Sequence, residues 1–156
     1  MMASDADFLS QAVELAMANV VGHGGRPFGA VVVKDGVVIA TGVNEIGATG
    51  DPTAHAELTA MRRAAQALGA PRLDGCVVYA SGQPCPMCLA AMHMTGVRRV
   101  RFCYSNDDGE PFGLSTAGVY AQMALPLDAQ AIDIAHHPLP TSEPSLYAAW
   151  KARQPV

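Results

Sequence analysis

Charge is scarce in this chain. Only 15% of its residues are Asp, Glu, Lys or Arg, aromatic residues make up 6%, and half of the sequence is apolar. A disordered chain shows the reverse balance, so the composition excludes disorder and predicts a well-buried globular fold. Positive charge is scarcer still: ten Lys and Arg against fourteen Asp and Glu leave a net charge of −4. That balance offers a polyanion no long-range attraction, and no nucleic-acid partner is expected. No apolar run approaches a membrane span, so no membrane partner is expected. The opening MMASDADFLS lacks the basic region and apolar stretch of a secretion signal, which makes a cytoplasmic location the expectation. Repeats, low-complexity tracts and long linkers are also missing. A length of 156 residues suits one domain spanning 1–156.

Cysteine is the next thing in short supply, with Cys76, Cys85, Cys88 and Cys103 only. A chain this long folds without disulfides, so the close pair Cys85/Cys88 points to metal binding or catalysis. Cys76 and Cys103 sit in apolar, strand-like contexts and are expected as small core residues.

The apolar pattern predicts the elements. Ser4 or Asp5 caps a first helix running to about Asn19, with Phe8, Leu9, Ala12, Val13, Ala16 and Met17 at helical spacing. After the glycine-rich break GHGGRPFG come two β-rich runs, 29–33 and 37–40. They flank Lys34-Asp35-Gly36 and read as a hairpin. AHAELTAMRRAAQAL is a helix ending at Gly69. Strands follow at 76–80 and 99–104, with an alanine-rich helix between them that opens at Pro84-Cys85-Pro86-Met87-Cys88. Further on, the pattern gives a helix over 117–125, a strand over 131–134 and a final helix over 146–153. Strands alternating with helices imply an α/β sandwich whose later strands are parallel.

Two short motifs carry the chemistry: His55-Ala56-Glu57 at one helix start and Pro84-Cys85-Pro86-Met87-Cys88 at the next. Three residues apart in a first helical turn, the two sulfurs can converge on one metal. A helix N-terminus favours the thiolate, because its unpaired N–H groups stabilise negative charge. His55 offers an imidazole from the other helix start. The expected set is His55/Cys85/Cys88 holding Zn2+, with a fourth position left for water, as in catalytic rather than structural zinc sites. Glu57 lies too close to His55 in sequence to bind the same ion. It is suited instead to shuttling protons between water and a departing amine.

The combination of H-x-E with P-C-x-x-C resembles the zinc deaminases of the cytidine-deaminase-like superfamily. The likeness spans about Phe8 to Tyr104 and includes PFGAVVVKDG, Asn44, DPTAHAE and PCPMC, in the order used by guanine deaminases and tRNA-specific adenosine deaminases. The resemblance implies a three-layer α-β-α sandwich with a central mixed sheet of about five strands. It also implies a small-molecule nucleobase substrate, most readily guanine, and a homodimer. Asn44 would contact the substrate ring, and Phe28, Ala56 and Pro84 would line the pocket.

The chain departs from that pattern in three places. Guanine deaminases typically carry an acidic residue where this chain has Gly113-Leu114-Ser115-Thr116, although Asp107, Asp108 and Glu110 lie just upstream. Gln83 stands where glutamate is usual, and the terminal tyrosine is lacking. The tRNA reading calls for phosphate-binding cations beside stacking aromatics, and the final stretch Tyr147–Arg153 supplies two cations. Cytosine or another small aminated heterocycle is a further alternative. Outside the class, a zinc-stabilised binding module predicts that Glu57 is dispensable. A thiol–disulfide oxidoreductase leaves His55 and Glu57 unexplained. His23, His93, His136 and His137 have no motif partners and read as surface or packing residues. Met87, Met92 and Met94 read as core filling.

Overall fold

A computed structural model describes residues 2–140 and 143–156, which cluster into two compact units, Met1–Ala124 and Leu125–Val156. The first unit is built on a mixed sheet. Helix α1 spans Asp5–His23, and Ser4 caps it in a reciprocal capping box with Asp7. Strands β1 (Gly29–Lys34) and β2 (Val37–Val43) form the expected hairpin, turned at Asp35 and Gly36, which both take positive φ. A short helix α2 (Ile46–Thr49) leads to α3 (Ala56–Leu68), which ends on left-handed Gly69. Strand β3 (Cys76–Gly82), helix α4 (Pro86–Thr95) and strand β4 (Arg99–Tyr104) complete the frame. Helices α5 (Asn106–Gly109) and α6 (Ala117–Met123) close the unit.

The strand order is β2-β1-β3-β4. Strand β1 pairs antiparallel with both β2 and β3, while β3 and β4 are parallel. Because β2 and β3 both oppose β1, they point the same way. The helices that follow them, α3 and α4, therefore start at one edge of the sheet.

Residues of β1 alternate between two cores. Val31 and Val33 join Phe8, Ala12 and Tyr79 under α1, whereas Ala30 and Val32 join Ala56, Ala60, Val78 and Met92 under α3 and α4. The sheet is thus sandwiched between helical layers, the expected α-β-α arrangement, but among the described residues it has four strands rather than the expected five or so, because no strand forms after β4 to extend it. A Cβ added at Gly42 would lie 2.5 Å from the Ala56 carbonyl oxygen. Glycine there lets the first turn of α3 press directly on β2.

Several expectations need correcting. Residues 131–134 form no strand, and Ile132 and Ile134 are 71% and 40% exposed. Four alternating residues gain little unless a neighbouring strand takes up their backbone groups, and the described sheet is built from β1 to β4. Cys103 is exposed on edge strand β4, while Cys76 is buried as expected. Met92 fills the core, but Met94 is 79% exposed. Helix α1 runs on to His23, a turn beyond Asn19. The second unit holds a 3-10 turn at Leu127–Ala129 and helix α7, Leu146–Ala152. Leu146, Tyr147 and Trp150 on α7 are all exposed.

Candidate active site

The two helix starts supply the site. His55 is the residue before α3 and Cys85 the residue before α4, both in extended backbone. His55 is presented by a shaped loop. Asp51 accepts from the Thr53 N–H at 2.8 Å and from its hydroxyl at 2.7 Å, and the Ala54 carbonyl accepts from the Glu45 N–H at 2.9 Å. Cys85 is held by its own helix: its sulfur accepts from the Cys88 N–H at 3.5 Å, and Pro86 occupies the first turn.

These placements bring the predicted ligands together. His55 Nδ1 lies 3.4 Å from Cys85 Sγ and 3.6 Å from Cys88 Sγ. One ligand atom from each residue falls within 4.8 Å of the others, the spacing of donors around one ion. Cys88 is fully buried and Cys85 nearly so. Two sulfurs and one imidazole nitrogen form a donor set suited to zinc.

The electrostatics favour a thiolate at Cys85. The Cys85 thiol is drawn down to about 4, first by the hydrogen bond from Cys88 and then by His55 and the Cys88 N–H, against the cost of burial. Cys88 is pushed the opposite way, by Cys85 first and then by burial, so the pair favours one thiolate sharing a proton. The His55 ring is raised, chiefly by its contact with Cys85. Glu57, on the first turn of α3, is only 6% exposed, and burial raises its carboxyl above the usual range.

The residues expected around the substrate lie at the ends of the sheet. Asn44, buried just after β2, donates its N–H to the Phe28 carbonyl at 3.1 Å, and its Oδ1 accepts from the Ile46 N–H at 3.2 Å. Half-buried Phe28, just before β1, packs over Gly82, where a Cβ would sit 3.1 Å from its ring. Ala56 is fully buried in the first turn of α3. Buried Pro84 has its carbonyl occupied by the hydroxyl of Tyr120.

Tyr120 and Asn106 were not singled out by sequence. Burial raises the Tyr120 hydroxyl, and its hydrogen bond to the Pro84 carbonyl sets it beside the cysteine loop. Asn106 accepts from the Thr116 N–H at 3.2 Å and donates its own N–H to Gln83 Oε1 at 2.9 Å. Gln83 therefore ties the cysteine loop to the segment that lacks the acidic residue. One Asp108 carboxylate oxygen accepts from the Ser105 N–H at 2.8 Å and closes a capping box on α5. Asp107 and Glu110 are exposed, as are His23, His93, His136 and His137. Only the order Ser105-x-x-Asp108 hints at the cap; the Gln83 and Tyr120 contacts span 23 and 36 residues and have no local signal.

Known proteins share this arrangement. Guanine deaminase of Bacillus subtilis is 40% identical over 144 residues, 92% of each chain. The X-ray structure of guanine deaminase from Bacillus subtilis superposes with a TM-score of 0.89 at 38% identity, covering 97% of this chain and 96% of that one. A guanine deaminase structure from Nitrosomonas europaea gives 0.68 at 30% identity, over 78% of this chain and 74% of that one. A tRNA-specific adenosine deaminase of Agrobacterium fabrum is 42% identical over 93 residues, 58% of this chain and 61% of its own. Residues 2–104 match the cytidine and deoxycytidylate deaminase zinc-binding region, and with His55, Cys85 and Cys88 converging as its donor set, the chain belongs to that zinc-binding deaminase family.

Proposed function

We propose that this protein is a hydrolytic deaminase that releases ammonia from guanine. The observation that carries the reading is the convergence of His55, Cys85 and Cys88 beside a buried Glu57 carboxyl. A purely structural zinc site needs a fourth protein ligand, and no other cysteine or histidine joins the cluster among the described residues. The choice of guanine is supported by the Bacillus subtilis relative, whose likeness runs over 92% of both chains. The same coverage supports treating residues 1–156 as one functional domain.

In this mechanism His55, Cys85 and Cys88 would hold Zn2+, which would supply the Lewis acidity that makes water acidic enough to attack at neutral pH. Glu57 takes the two protons of the attacking water in turn, passing one to the ring nitrogen beside the reacting carbon and the other to the departing amino nitrogen. Water thus adds as the carbon–nitrogen bond breaks, and ammonia leaves as the ring gains a carbonyl. Phe28 offers its ring face to the planar base. Asn44 binds the ring edge, and the Ala56 N–H, at a helix start where backbone donors lack intrahelical acceptors, adds a hydrogen bond. Pro84 lines the pocket as a wall whose carbonyl Tyr120 already satisfies.

The substrate is a free base rather than a polynucleotide. Arg63, Arg72, Arg99 and Arg101 are engaged with Glu45, Asp74 and Asp5, which depletes an already small positive charge. A cytoplasmic location fits a pair of thiolates that must stay reduced to bind metal. The active form is a homodimer. Among the described residues strand β4 pairs only with β3 and presents Phe102 and Tyr104 at 43% and 53% exposure, an edge suited to association. Sedimentation at micromolar concentration should give twice the chain mass.

Ammonia release from free bases, nucleosides and a tRNA anticodon stem-loop tests the substrate, using zinc-loaded protein. Release from guanine is the expected result. Release from the stem-loop alone overturns the choice of substrate, and silence across the panel from protein that retains its zinc overturns the enzyme.

A further inference from the structure

The buried stripe of α1 contains one residue that packing does not explain. Phe8, Ala12, Ala16 and Asn19 are its buried positions, at helical spacing, and Asn19 is 5% exposed. An apolar residue would continue the stripe. Asn19 instead directs its amide nitrogen to two backbone carbonyls, Arg26 O at 2.9 Å and Asn44 O at 3.0 Å. The nitrogen has two hydrogens, so both donors are used. A Cβ added at Gly25 would run into the Asn19 side chain, so the neighbouring loop is shaped around it.

The two carbonyls flank the open end of the hairpin, one beyond each of its strands, where Gly29 pairs with Val43. Arg26 is two residues before Phe28, where the chain enters β1, and Asn44 is the first residue after β2. Asn44 and Phe28 are also joined directly through the Asn44 N–H. One buried amide thus fixes the backbone of both residues assigned to the substrate ring. With the Asn44 Oδ1 already held by Ile46, fixing the Asn44 backbone sets where its amide NH2 points.

We propose that Asn19 is a positioning residue of the active site: it touches no substrate and acts by holding Asn44, and with it Phe28, in place for the base. The inference rests on the reading of Asn44 and Phe28 as ring contacts. Removing the amide leaves two buried carbonyls without their donor, and the loop relaxes to recover solvent or other partners.

A double-mutant cycle in guanine turnover tests it. Asn19→Ala should raise KM about tenfold, the effect of losing one well-placed hydrogen-bonding group. It should leave kcat within about twofold and zinc content unchanged, because the proton shuttle and ligands lie elsewhere. Asn44→Ala should raise KM at least as much, and adding Asn19→Ala to it should cost less than about a further twofold. Asn19→Leu keeps the bulk and continues the apolar stripe without the NH2 donors and should reproduce the KM rise, which covers the case of an Ala variant that fails to fold. An unchanged KM in a folded Asn19 variant overturns the proposal. So does a full tenfold effect retained in the Asn44→Ala background, the mark of general loosening. Wild-type protein that releases no ammonia from guanine overturns the substrate reading and the proposal with it; wild-type turnover with a flat KM in the variants overturns the proposal alone.

Discussion

The starts of α3 and α4 have nearly the same backbone and very different support. His55 and Cys85 are both extended cap residues, with φ −70° in each and ψ of 155° and 166°. The α4 start is locally self-sufficient: Cys85 caps the helix with its own sulfur and Pro86 fixes the first turn. The α3 start has no side-chain cap, because its cap residue turns an imidazole toward the cysteines. Its position depends on parts outside the helix, namely the preceding Asp51–Thr53 turn and the close approach permitted by Gly42. A metal ligand can therefore be its helix's own cap or can leave that helix uncapped, and the second choice moves the burden of positioning to the sheet.

That contrast can be broken most severely at the ligands. Cys88→Ala and His55→Ala should each abolish stoichiometric zinc, measured by metal analysis, and with it turnover. Only the cysteine change should also disturb α4, since Cys88 is fully buried in that helix. Glu57→Gln comes next: kcat should fall about 100- to 10,000-fold, as expected for a lost general acid–base, with zinc retained. Near-normal turnover would remove Glu57 from its role. Gly42→Ala should destabilise the fold by about 1–3 kcal/mol in urea titration, because the new methyl meets the α3 backbone. Pro86→Ala at the α4 start should cost less than Gly42→Ala; equal costs would erase the distinction between the two starts.

The smallest effect lies far from both helix starts. Tyr79 first, then Arg99 and Arg101, hold the Asp5 carboxyl below its ordinary value. A depressed folded-state pKa contributes stability above the unfolded value near 3.8, and that contribution is lost as pH falls through the lower folded value. Asp5→Asn should therefore flatten the stability curve slightly below pH 4 and leave zinc content unchanged. A shift of the acid transition by the ligand variants alone would show that Asp5 plays no part.

The motifs and main elements were legible because their signals are local. Asp35-Gly36 announced the hairpin, Ser4 the first cap, and His55-x-Glu57 with Cys85-x-x-Cys88 the metal and proton-transfer groups. The illegible parts are those that depend on partners far along the chain. Residues 131–134 alternate like a strand, yet alternation does not supply a neighbour. Cys103 looked like a core residue because sequence cannot tell an edge strand from a central one. Asn19 reads as a helix-ending residue until the carbonyls of Arg26 and Asn44 are placed around it. Tyr120 and Asn106 are ordinary polar residues whose importance comes from contacts that only the fold creates, and Gln83, visible in sequence as a departure from glutamate, has a partner that only the fold reveals.

Strand β1 separates the two motifs: β2, which leads to His55, and β3, which leads to Cys85, lie on opposite sides of it. At about 4.8 Å per strand, the flanking strands are about 10 Å apart, and an ion gripped from both sides works as a clasp over the middle of the sheet. A ligand that binds only the closed arrangement adds about 2.7 kcal/mol of stability at a hundredfold excess over its Kd. The melting temperature of this protein should then report free zinc, rising with the metal and falling under a chelator, so that the availability of the ion sets how long the folded chain persists as well as how fast it turns over.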